Sequence, residues 1–179
     1  MLLEHPGDAG RPTVEASAEP VTAADLRTTD RFFYALSSAA DHGLLWLALG
    51  SVRAARRHDP AFALRLGLAL GAESLFTNGA IKSLFRRVRP PEHFAHDAPL
   101  PYGMHRPITS SFPSGHATTA FTAASVLAPG SAAAPAWYAL AALVAYSRVR
   151  VRMHHPADVV GGVALGLVLG RLARRFVRP

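Results

Sequence analysis

Three polar clusters interrupt the apolar stretches of the sequence, and each carries residue types that bind or transfer a phosphoryl group. The first contains Lys82 and Arg89, followed directly by Pro90. Lys82 and Arg89 are seven residues apart, so two helical turns would place them on one face if the helix continued. Pro90 would then end that helix. This cluster predicts two fixed cations close to a helix end.

The second cluster is the sequence PSGH at residues 113–116, which opens an apolar stretch. Proline fits the start of a helix, and Ser114 and Gly115 are small enough to leave the first backbone amides uncovered. A helix N-terminus with free N–H groups attracts anions. The cluster therefore predicts an amide nest for a phosphate group, with the imidazole of His116 beside it.

The third cluster is Ser147-Arg148, followed by His154 and then by Asp158. His154 and Asp158 are four residues apart, so on a helix one side chain would lie above the other. His155 competes with its neighbour as the candidate nucleophile, but the four-residue step to the carboxylate favours His154. This cluster predicts a cation and a histidine that is supported by a carboxylate.

Together the clusters supply the groups needed for phosphoryl transfer through a histidine nucleophile. His154 would attack phosphorus, and Asp158 would accept its other ring N–H and support the imidazolium. His116 would protonate the leaving oxygen and later activate water. The phosphate-binding groups would be supplied by Lys82, Arg89, Ser114, Gly115 and Arg148. This scheme requires no metal and no other cofactor.

These clusters resemble the signature of the type-2 phosphatidic acid phosphatase superfamily, which comprises lipid phosphate phosphatases and is related to the vanadium haloperoxidases. The signature reads K-x6-RP, PSGH and SR-x5-H-x3-D, and all eleven positions match here in type, order and spacing. The resemblance covers about residues 60–172. It implies a membrane helical bundle and the residue roles described above. Membrane members of this superfamily commonly have six spans.

The composition is that of a membrane protein and not of a typical cytosolic enzyme. Charged residues make up 17% of the chain, against about 25% in ordinary soluble domains. Residues 107–147 contain no Lys, Arg, Asp or Glu. The net charge is +7, but no nucleic-acid motif or aromatic platform accompanies the arginines, so we expect no nucleic-acid partner. The absence of cysteine excludes disulfides and thiol chemistry.

The apolar blocks predict an all-α, integral membrane bundle of about five to six transmembrane helices. The blocks are roughly residues 32–52, 61–81, 114–128, 135–149 and 156–172. Asp41 and His42 interrupt the first block, where we expect an interfacial turn followed by a span. Gly162, Gly166 and Gly170 recur every four residues on one face of the last block. Such a stripe of small residues predicts close helix packing in lipid.

The chain divides into a flexible acidic N-terminal tail, residues 1–31, and a membrane phosphatase domain, residues 32–179. No basic segment precedes an apolar run at the N-terminus, so we expect no cleavable signal peptide. Arginine clusters follow the first and last spans, and the positive-inside rule places both in the cytoplasm. With five spans, the tail and the three polar clusters then face the exoplasmic side of a bacterial cytoplasmic membrane.

Several charged residues match no signature position. We interpret four of them as interfacial anchors, or as a long-range attraction for an anionic headgroup: Arg86, Arg87, Arg150 and Arg152. Arg65 and Glu73 lie within one apolar block, eight residues apart and on roughly one face. We expect them to face the bundle interior and to pair with other buried groups.

The segment between the first two clusters is also rich in histidine. Residues 92–97 include His93 and His96 beside two carboxylates, a pattern that weakly suggests a metal site but is more typical of an exposed loop. His105 and Arg106 follow in the same loop, where we expect them to shape substrate entry.

The sequence therefore predicts a membrane-embedded, metal-independent phosphatase whose partners are the bilayer and a lipid phosphate substrate. Candidate substrates are polyprenyl phosphates or diphosphates, polyprenyl-phosphosugar phosphates, phosphatidic acid and phosphatidylglycerol phosphate. Two alternatives remain open. One is a vanadate-dependent haloperoxidase-like enzyme, whose relatives are typically soluble. The other is a non-catalytic membrane protein that binds or moves a lipid headgroup.

Overall fold

The computed structural model describes residues 26–91, 100–105 and 107–177, which fold into six α-helices and contain no strand. The helices are α1 (Thr28–Ala39), α2 (Leu44–Arg56), α3 (Pro60–Leu75), α4 (Gly115–Leu127), α5 (Ala134–Arg150) and α6 (Pro156–Ala173). The predicted all-α class is confirmed.

The first apolar block forms two helices. A short 3-10 turn, Asp41–Gly43, separates α1 from α2. His42 (φ 51°) and Gly43 (φ 75°) both adopt left-handed backbone conformations, which an α-helix does not accommodate. The turn expected at this polar pair is therefore present, and it divides the block near its middle.

The helical part of the chain begins earlier than predicted. α1 starts at Thr28, so the last four residues of the predicted tail, 28–31, belong to a helix. The rest of that prediction falls largely on residues 1–25, which lie outside the described residues.

The third helix ends in a way that the sequence pattern did not predict. α3 continues as a π-helix, Phe76–Ile81, and then as a 3-10 turn, Lys82–Leu84. Phe85 is already extended, with φ −122° and ψ 143°. The helix therefore stops before Arg89, and the predicted shared helical face of Lys82 and Arg89 is wrong. Short π segments of this kind are frequent at functional sites.

The two charged residues within α3 have separate partners. Arg65 pairs with Asp59, the N-cap residue of α3, at 3.1 Å. Glu73 is buried and accepts hydrogen bonds from the hydroxyls of Thr77 (2.9 Å) and Thr119 (2.7 Å). Because Thr119 belongs to α4, the Glu73 carboxylate joins α3 to the helix that starts at the second polar cluster.

Helices α4 and α6 run parallel and pack closely along the glycine stripe of α6. A Cβ atom on Gly162 would lie 2.5 Å from the backbone oxygen of Ser114, which precedes α4, and one on Gly166 would lie 2.4 Å from that of Thr118 in α4. A Cβ atom on Gly170 would lie 2.5 Å from Ser125. The hydroxyl of Thr122 donates to the carbonyl of Gly166 at 3.2 Å. The predicted close packing of this face is confirmed, and it fixes the two helix N-termini side by side.

We expect Gly166→Val to destabilise the bundle, because its side chain would be forced against the backbone of α4. Overpacking of this kind costs about 1–3 kcal/mol, which corresponds to a melting temperature lower by roughly 5 °C for a chain of this size. The measurement is thermal unfolding of the purified protein in detergent. Gly71→Ala is the matched control, since no atom lies within 4 Å of its added Cβ. Equal melting temperatures for Gly166→Val and wild type would contradict the packing argument.

The bundle exposes apolar side chains and buries polar ones. Leu64, Leu68, Leu75, Val160 and Val168 are each more than half exposed. The interior holds buried serines and threonines together with charged residues of the polar clusters. An exterior that carries large apolar side chains, around an interior that holds polar groups as well as an apolar core, is the arrangement expected of a bundle surrounded by lipid.

By length and composition, α6 is the one helix among the described residues that passes as a membrane span. Its 18 residues extend about 27 Å at 1.5 Å per residue, close to the roughly 30 Å of a bilayer core. The other α-helices have between 12 and 17 residues.

Two arginines define the end of the bundle opposite the polar clusters. Arg53 donates to the carbonyls of Leu127 (2.7 Å) and Pro129 (3.1 Å), and Arg57 donates to that of Gly130 (3.2 Å). These bonds satisfy acceptors at the C-terminus of α4, where helices leave carbonyls without partners. The N-termini of α4 and α6 therefore lie at the other end, together with the C-termini of α3 and α5.

Candidate active site

A cavity of about 820 Å³ opens at the end of the bundle where the three polar clusters meet. Six of the eight predicted site residues line it: Lys82, Arg89, Gly115, His116, Arg148 and His154. The other two, Ser114 and Asp158, are fully buried directly behind this wall. The described structure thus brings together side chains that lie up to 76 positions apart in the sequence.

Lys82 lies against the N-terminus of α4. Its Nζ would be 3.6 Å from a Cβ atom placed on Gly115, and the Asn78 side-chain oxygen would be 3.3 Å from the same point. A larger residue than glycine would therefore crowd the ammonium group. Burial, with smaller contributions from Arg89 and Arg148, lowers the pKa of Lys82 to about 8. Its charge is therefore sensitive to pH in a range where ordinary lysines are fully protonated.

We expect the affinity of the purified protein for inorganic phosphate to fall as the pH rises through about 8, where Lys82 loses its proton. The loss of a charged hydrogen bond is worth about 1.5–3 kcal/mol, so affinity should weaken at least about tenfold. Isothermal titration between pH 6.5 and 9.5 measures the effect. Lys82→Arg should show a smaller decline, because guanidinium stays charged while the ionisation of phosphate itself affects both proteins equally. The same decline in both proteins would contradict the assignment.

Arg89 reaches the cavity from an extended segment. Its Nη1 donates to the Met153 carbonyl at 2.7 Å, and its Nη2 lies 3.3 Å from the carbonyls of Thr109 and Ser110. These backbone contacts hold the guanidinium in place without a helix. The same Nη1 is 3.3 Å from Nε2 of His154, so the cation lies beside the candidate nucleophile.

The second cluster opens α4 as predicted, with Ser114 at the N-cap position. The backbone N–H of Ser114 donates to the Asp158 carbonyl at 2.9 Å, and its own carbonyl accepts from Thr118. Gly115 and His116 occupy the first helical positions and line the cavity. Amides at these positions lack acceptors within their own helix, so this helix end offers hydrogen-bond donors to an anion.

Arg148 belongs to the last turn of α5 and is buried. Its Nη1 donates to the hydroxyl of Ser37 on α1. A buried arginine that lines a cavity is positioned to bind an anion bidentately.

His154 is held in the orientation expected of a nucleophile, although by a different acceptor from the one predicted. Its Nδ1 is 2.7 Å from the carbonyl of Ser111, while the nearest Asp158 oxygen is 3.8 Å away. A carbonyl can only accept, so Nδ1 carries the proton and Nε2 presents a lone pair. Burial, followed by the charges of Arg148, Arg89 and Lys82, strongly lowers the pKa of His154. The imidazole is therefore neutral and nucleophilic.

The predicted hydrogen bond from His154 to Asp158 fails because α6 begins later than the four-residue spacing assumes. His154 precedes the helix, and the Asp158 Oδ2 accepts the backbone N–H of His155 at 2.9 Å, which caps α6. The Oδ1 pairs with Arg87 at 3.1 Å. Asp158 thus contributes a nearby negative charge to His154 and fixes the helix start. His155 turns its Nε2 to the Val88 carbonyl at 3.2 Å.

Two of the four arginines that we interpreted as interfacial anchors have carboxylate partners. Arg87 pairs with the fully buried Asp158, and Arg150 pairs with Asp30 of α1. Both contacts stabilise the end of the bundle that carries the cavity, a role that the prediction of interfacial anchors did not include. For the exposed Arg86 and Arg152 that role stays a prediction.

The structure adds site residues that the sequence reasoning missed. Asp41 lines the cavity, and its Oδ1 is 3.2 Å from Nε2 of His116. Ser37 holds Arg148, and the Ser111 carbonyl holds His154. The sequence offered one signal for the first of these, namely the polar interruption of an apolar block at Asp41.

The loop that precedes the second cluster contributes His105 to the cavity wall, and its role in substrate entry stays a prediction. Arg106 and residues 92–99 lie outside the described residues, and with them the possible metal pattern at His93 and His96. Within the described ranges, no group of three or more His, Asp or Glu side chains is arranged to hold a metal ion.

Comparisons with known proteins agree with this geometry. The PAP2 superfamily matches residues 62–179. The chain is 34% identical over 143 residues to the decaprenylphosphoryl-5-phosphoribose phosphatase of Mycobacterium tuberculosis (strain ATCC 25618 / H37Rv), covering 76% of this chain and 74% of that protein. It is 36% identical over 131 residues to the protein of the same name in Mycolicibacterium smegmatis (strain ATCC 700084 / mc(2)155), covering 72% and 68%.

A solved membrane protein shares the fold. The crystal structure of the first transmembrane PAP2 type phosphatidylglycerolphosphate phosphatase from Bacillus subtilis aligns with a TM-score of 0.60 and 29% identity, over 83% of this chain and 74% of that one. This neighbour supports a helical bundle embedded in a membrane. With the match over residues 62–179, it establishes that the chain belongs to the PAP2 superfamily.

Proposed function

We propose that this lipid phosphate phosphatase of the PAP2 superfamily removes the terminal phosphate of a polyprenyl-linked sugar phosphate through a phosphohistidine intermediate. The observation that carries the proposal is the convergence of three cations, a helix N-terminus and two histidines on one cavity. The neutral state of His154, with Nε2 directed at the cations, supports its role as nucleophile.

The size and lining of the cavity favour a headgroup larger than phosphate. A volume of about 820 Å³ lies in the upper part of the range for sites that enclose whole small molecules. Ser74, Asn78, Thr109 and Thr119 line it beside the cations, and their polar groups are suited to sugar hydroxyls. The names of the mycobacterial relatives, which specify a phosphoribose carried on decaprenyl phosphate, support this substrate class.

In the first chemical step, Nε2 of His154 attacks phosphorus, and the bond from phosphorus to the sugar oxygen breaks. His116 gives its proton to that oxygen, so the sugar lipid leaves as an alcohol. The positive charges of Lys82, Arg89 and Arg148 stabilise the negative charge on the transferring phosphoryl group. The Ser111 carbonyl and the nearby Asp158 stabilise the imidazolium as it forms.

In the second step, water attacks the phosphohistidine and His116 accepts a proton from that water. The bond from phosphorus to Nε2 breaks, which restores neutral His154 and releases inorganic phosphate. The proton that His116 gave up in the first step is thereby returned, so the enzyme completes the cycle unchanged.

The same proposal places the enzyme in a bacterial cytoplasmic membrane with about five to six spans. Residues 32–179, extended by the start of α1, form the phosphatase domain. The cavity lies at the opposite end of the bundle from Arg53 and Arg57. The positive-inside rule, applied without the signature residues, places the arginines that follow the first and last spans in the cytoplasm. The cavity then faces the exoplasmic side and the C-terminus the cytoplasm.

Phosphate release by the purified protein tests the function. The panel consists of a polyprenyl-phosphoribose phosphate, a polyprenyl diphosphate, phosphatidic acid and phosphatidylglycerol phosphate, each with and without EDTA. We expect the sugar lipid to give the highest kcat/KM and EDTA to leave all rates unchanged. No release from any lipid by protein with intact helicity would overturn the enzyme assignment. Loss of activity with EDTA would overturn the metal-independent scheme.

The topology has its own test. Alkaline phosphatase is active only after export, so its fusion after residue 177 should be inactive and a green fluorescent protein fusion at the same point should be fluorescent. The reverse pair of results would place the C-terminus outside and would turn the cavity towards the cytoplasm.

A further inference from the structure

The turn between α1 and α2 borders the active-site cavity, although it lies outside the three signature clusters. Asp41, His42 and Gly43 all line the cavity, and all precede residues 62–179, the part of the chain that the family match covers. The catalytic cavity is therefore completed by a segment that the signature does not describe.

The carboxylate of Asp41 contacts the ring of His116. Its Oδ1 is 3.2 Å from His116 Nε2, and the two side chains are 34% and 15% exposed. Water screens such a partly enclosed pair less than it screens a pair on the surface. The contact with His116 lowers the pKa of Asp41, so the carboxylate is ionised at neutral pH.

The backbone around Asp41 positions the carboxylate for this contact. The left-handed conformations of His42 and Gly43 turn the chain sharply after Asp41. Gly43 packs on Thr119 of α4, at 3.5 Å from the point where its Cβ would be. Thr119 lies three residues after His116, hence on the same helix face. The turn is thus fixed against the face of α4 that carries the catalytic histidine.

We propose that Asp41 is a positioning residue that holds His116 through Nε2 and stabilises its protonated form, the form that delivers a proton to the leaving oxygen. This inference rests on the proposed function and deepens it. Proton exchange with the substrate would then use Nδ1, and the Ser37 backbone is a further hydrogen-bond partner of the ring. Asp41 thereby supports the acid–base histidine with a carboxylate, whereas the nucleophile His154 is oriented by a backbone carbonyl.

The charges around His116 explain why a carboxylate is needed there. Arg148 and His154 face the same region, and His42 lies beside Asp41. Burial opposes protonation of the His116 imidazole most strongly, and the charge of the buried arginine adds to that effect. The Asp41 carboxylate acts in the opposite direction, which favours the protonated form that general acid catalysis requires.

The decisive measurement compares Asp41→Asn with wild type on leaving groups that differ in their need for an acid. With an alkyl phosphate lipid, whose leaving oxygen must be protonated, we expect kcat to fall about 100-fold and KM to change less than about threefold. With 4-nitrophenyl phosphate, whose leaving group departs without a proton, the first-turnover burst of nitrophenolate should fall less than about fivefold. The alkaline limb of the kcat profile should move to lower pH.

Two further variants separate this role from a structural one. Asp41→Glu keeps the charge and should restore part of the activity on the alkyl substrate. Asp59→Asn removes a carboxylate of similar exposure, which pairs with Arg65 away from the cavity, and should leave both rates unchanged. Equal losses of Asp41→Asn on both substrates, or no loss on either, would overturn the role of Asp41 while wild type remains active. An inactive wild type would overturn the proposed function, and the role of Asp41 with it.

Discussion

His154→Ala is expected to abolish phosphate release while leaving the bundle folded. The variant removes Nε2, the atom that forms the bond to phosphorus. Removal of a nucleophile in a covalent mechanism typically costs about 10⁴-fold or more in kcat. The fold should survive, because the side chain lies in the loop between α5 and α6 and makes one short backbone hydrogen bond.

The measurement combines turnover with trapping of the intermediate. Wild type incubated briefly with ³²P-labelled substrate and quenched in base should retain acid-labile label, and His154→Ala should retain none. His155→Ala is the matched control, because its ring turns away to the Val88 carbonyl, and it should keep most of the activity. Full phosphate release by His154→Ala would contradict its role as nucleophile and would point to a different nucleophile.

The sequence predicted the helical class and the packing of α6, because both depend on local patterns. Long runs without charge predict apolar helices, and glycine every four residues predicts a flat helix face. The end of α3 could not be predicted in this way. The chain becomes extended after Leu84, and Ser111 then bonds to the carbonyl of Arg87 at 3.0 Å. This contact joins residues 24 positions apart, and the periodicity of a helix cannot predict such a contact.

For the candidate site, too, the sequence predicted what depends on motif spacing and missed what depends on contacts between distant residues. Motif spacing identified the side chains that surround the cavity, and the structure brings them together. The groups that orient them were missed. The acceptor for His154 is a backbone carbonyl, that of Ser111, and every residue carries such a group. Asp41 contacts His116 across 75 positions, and a single sequence contains no signal for such a pairing.

The four-residue spacing of His154 and Asp158 did not predict their contacts. A separation of four residues brings two side chains together only if both belong to the helix, and α6 starts at Pro156. Asp158 therefore caps the helix that follows His154 and pairs with Arg87. Its effect on the nucleophile is exerted through its charge and through the position of the loop.

Arg148→Lys is expected to lower kcat about 10²- to 10³-fold, even though the substitution conserves the charge. The guanidinium of Arg148 is buried, lines the cavity and donates to Ser37 through Nη1. One guanidinium nitrogen is thus anchored on α1, while the other N–H groups remain available to phosphate oxygens. The ammonium group of lysine has no planar set of N–H donors, so it cannot hold Ser37 and bind two phosphate oxygens in one plane.

The loss should fall mainly on kcat, because negative charge is redistributed over the phosphoryl oxygens as the transition state forms. Removal of one preorganised donor from such a site costs about 10²- to 10³-fold, and ground-state binding still benefits from Lys82 and Arg89. Arg152→Lys is the matched control, since this arginine is exposed beyond the end of α5. This substitution should leave kcat unchanged. Ser37→Ala should lower kcat by a smaller factor, because the hydroxyl that holds Arg148 is removed while the guanidinium remains. If Arg148→Lys kept wild-type kcat, or if Arg152→Lys lost as much, the bidentate role would be refuted and Arg148 would act on the phosphate through its charge alone.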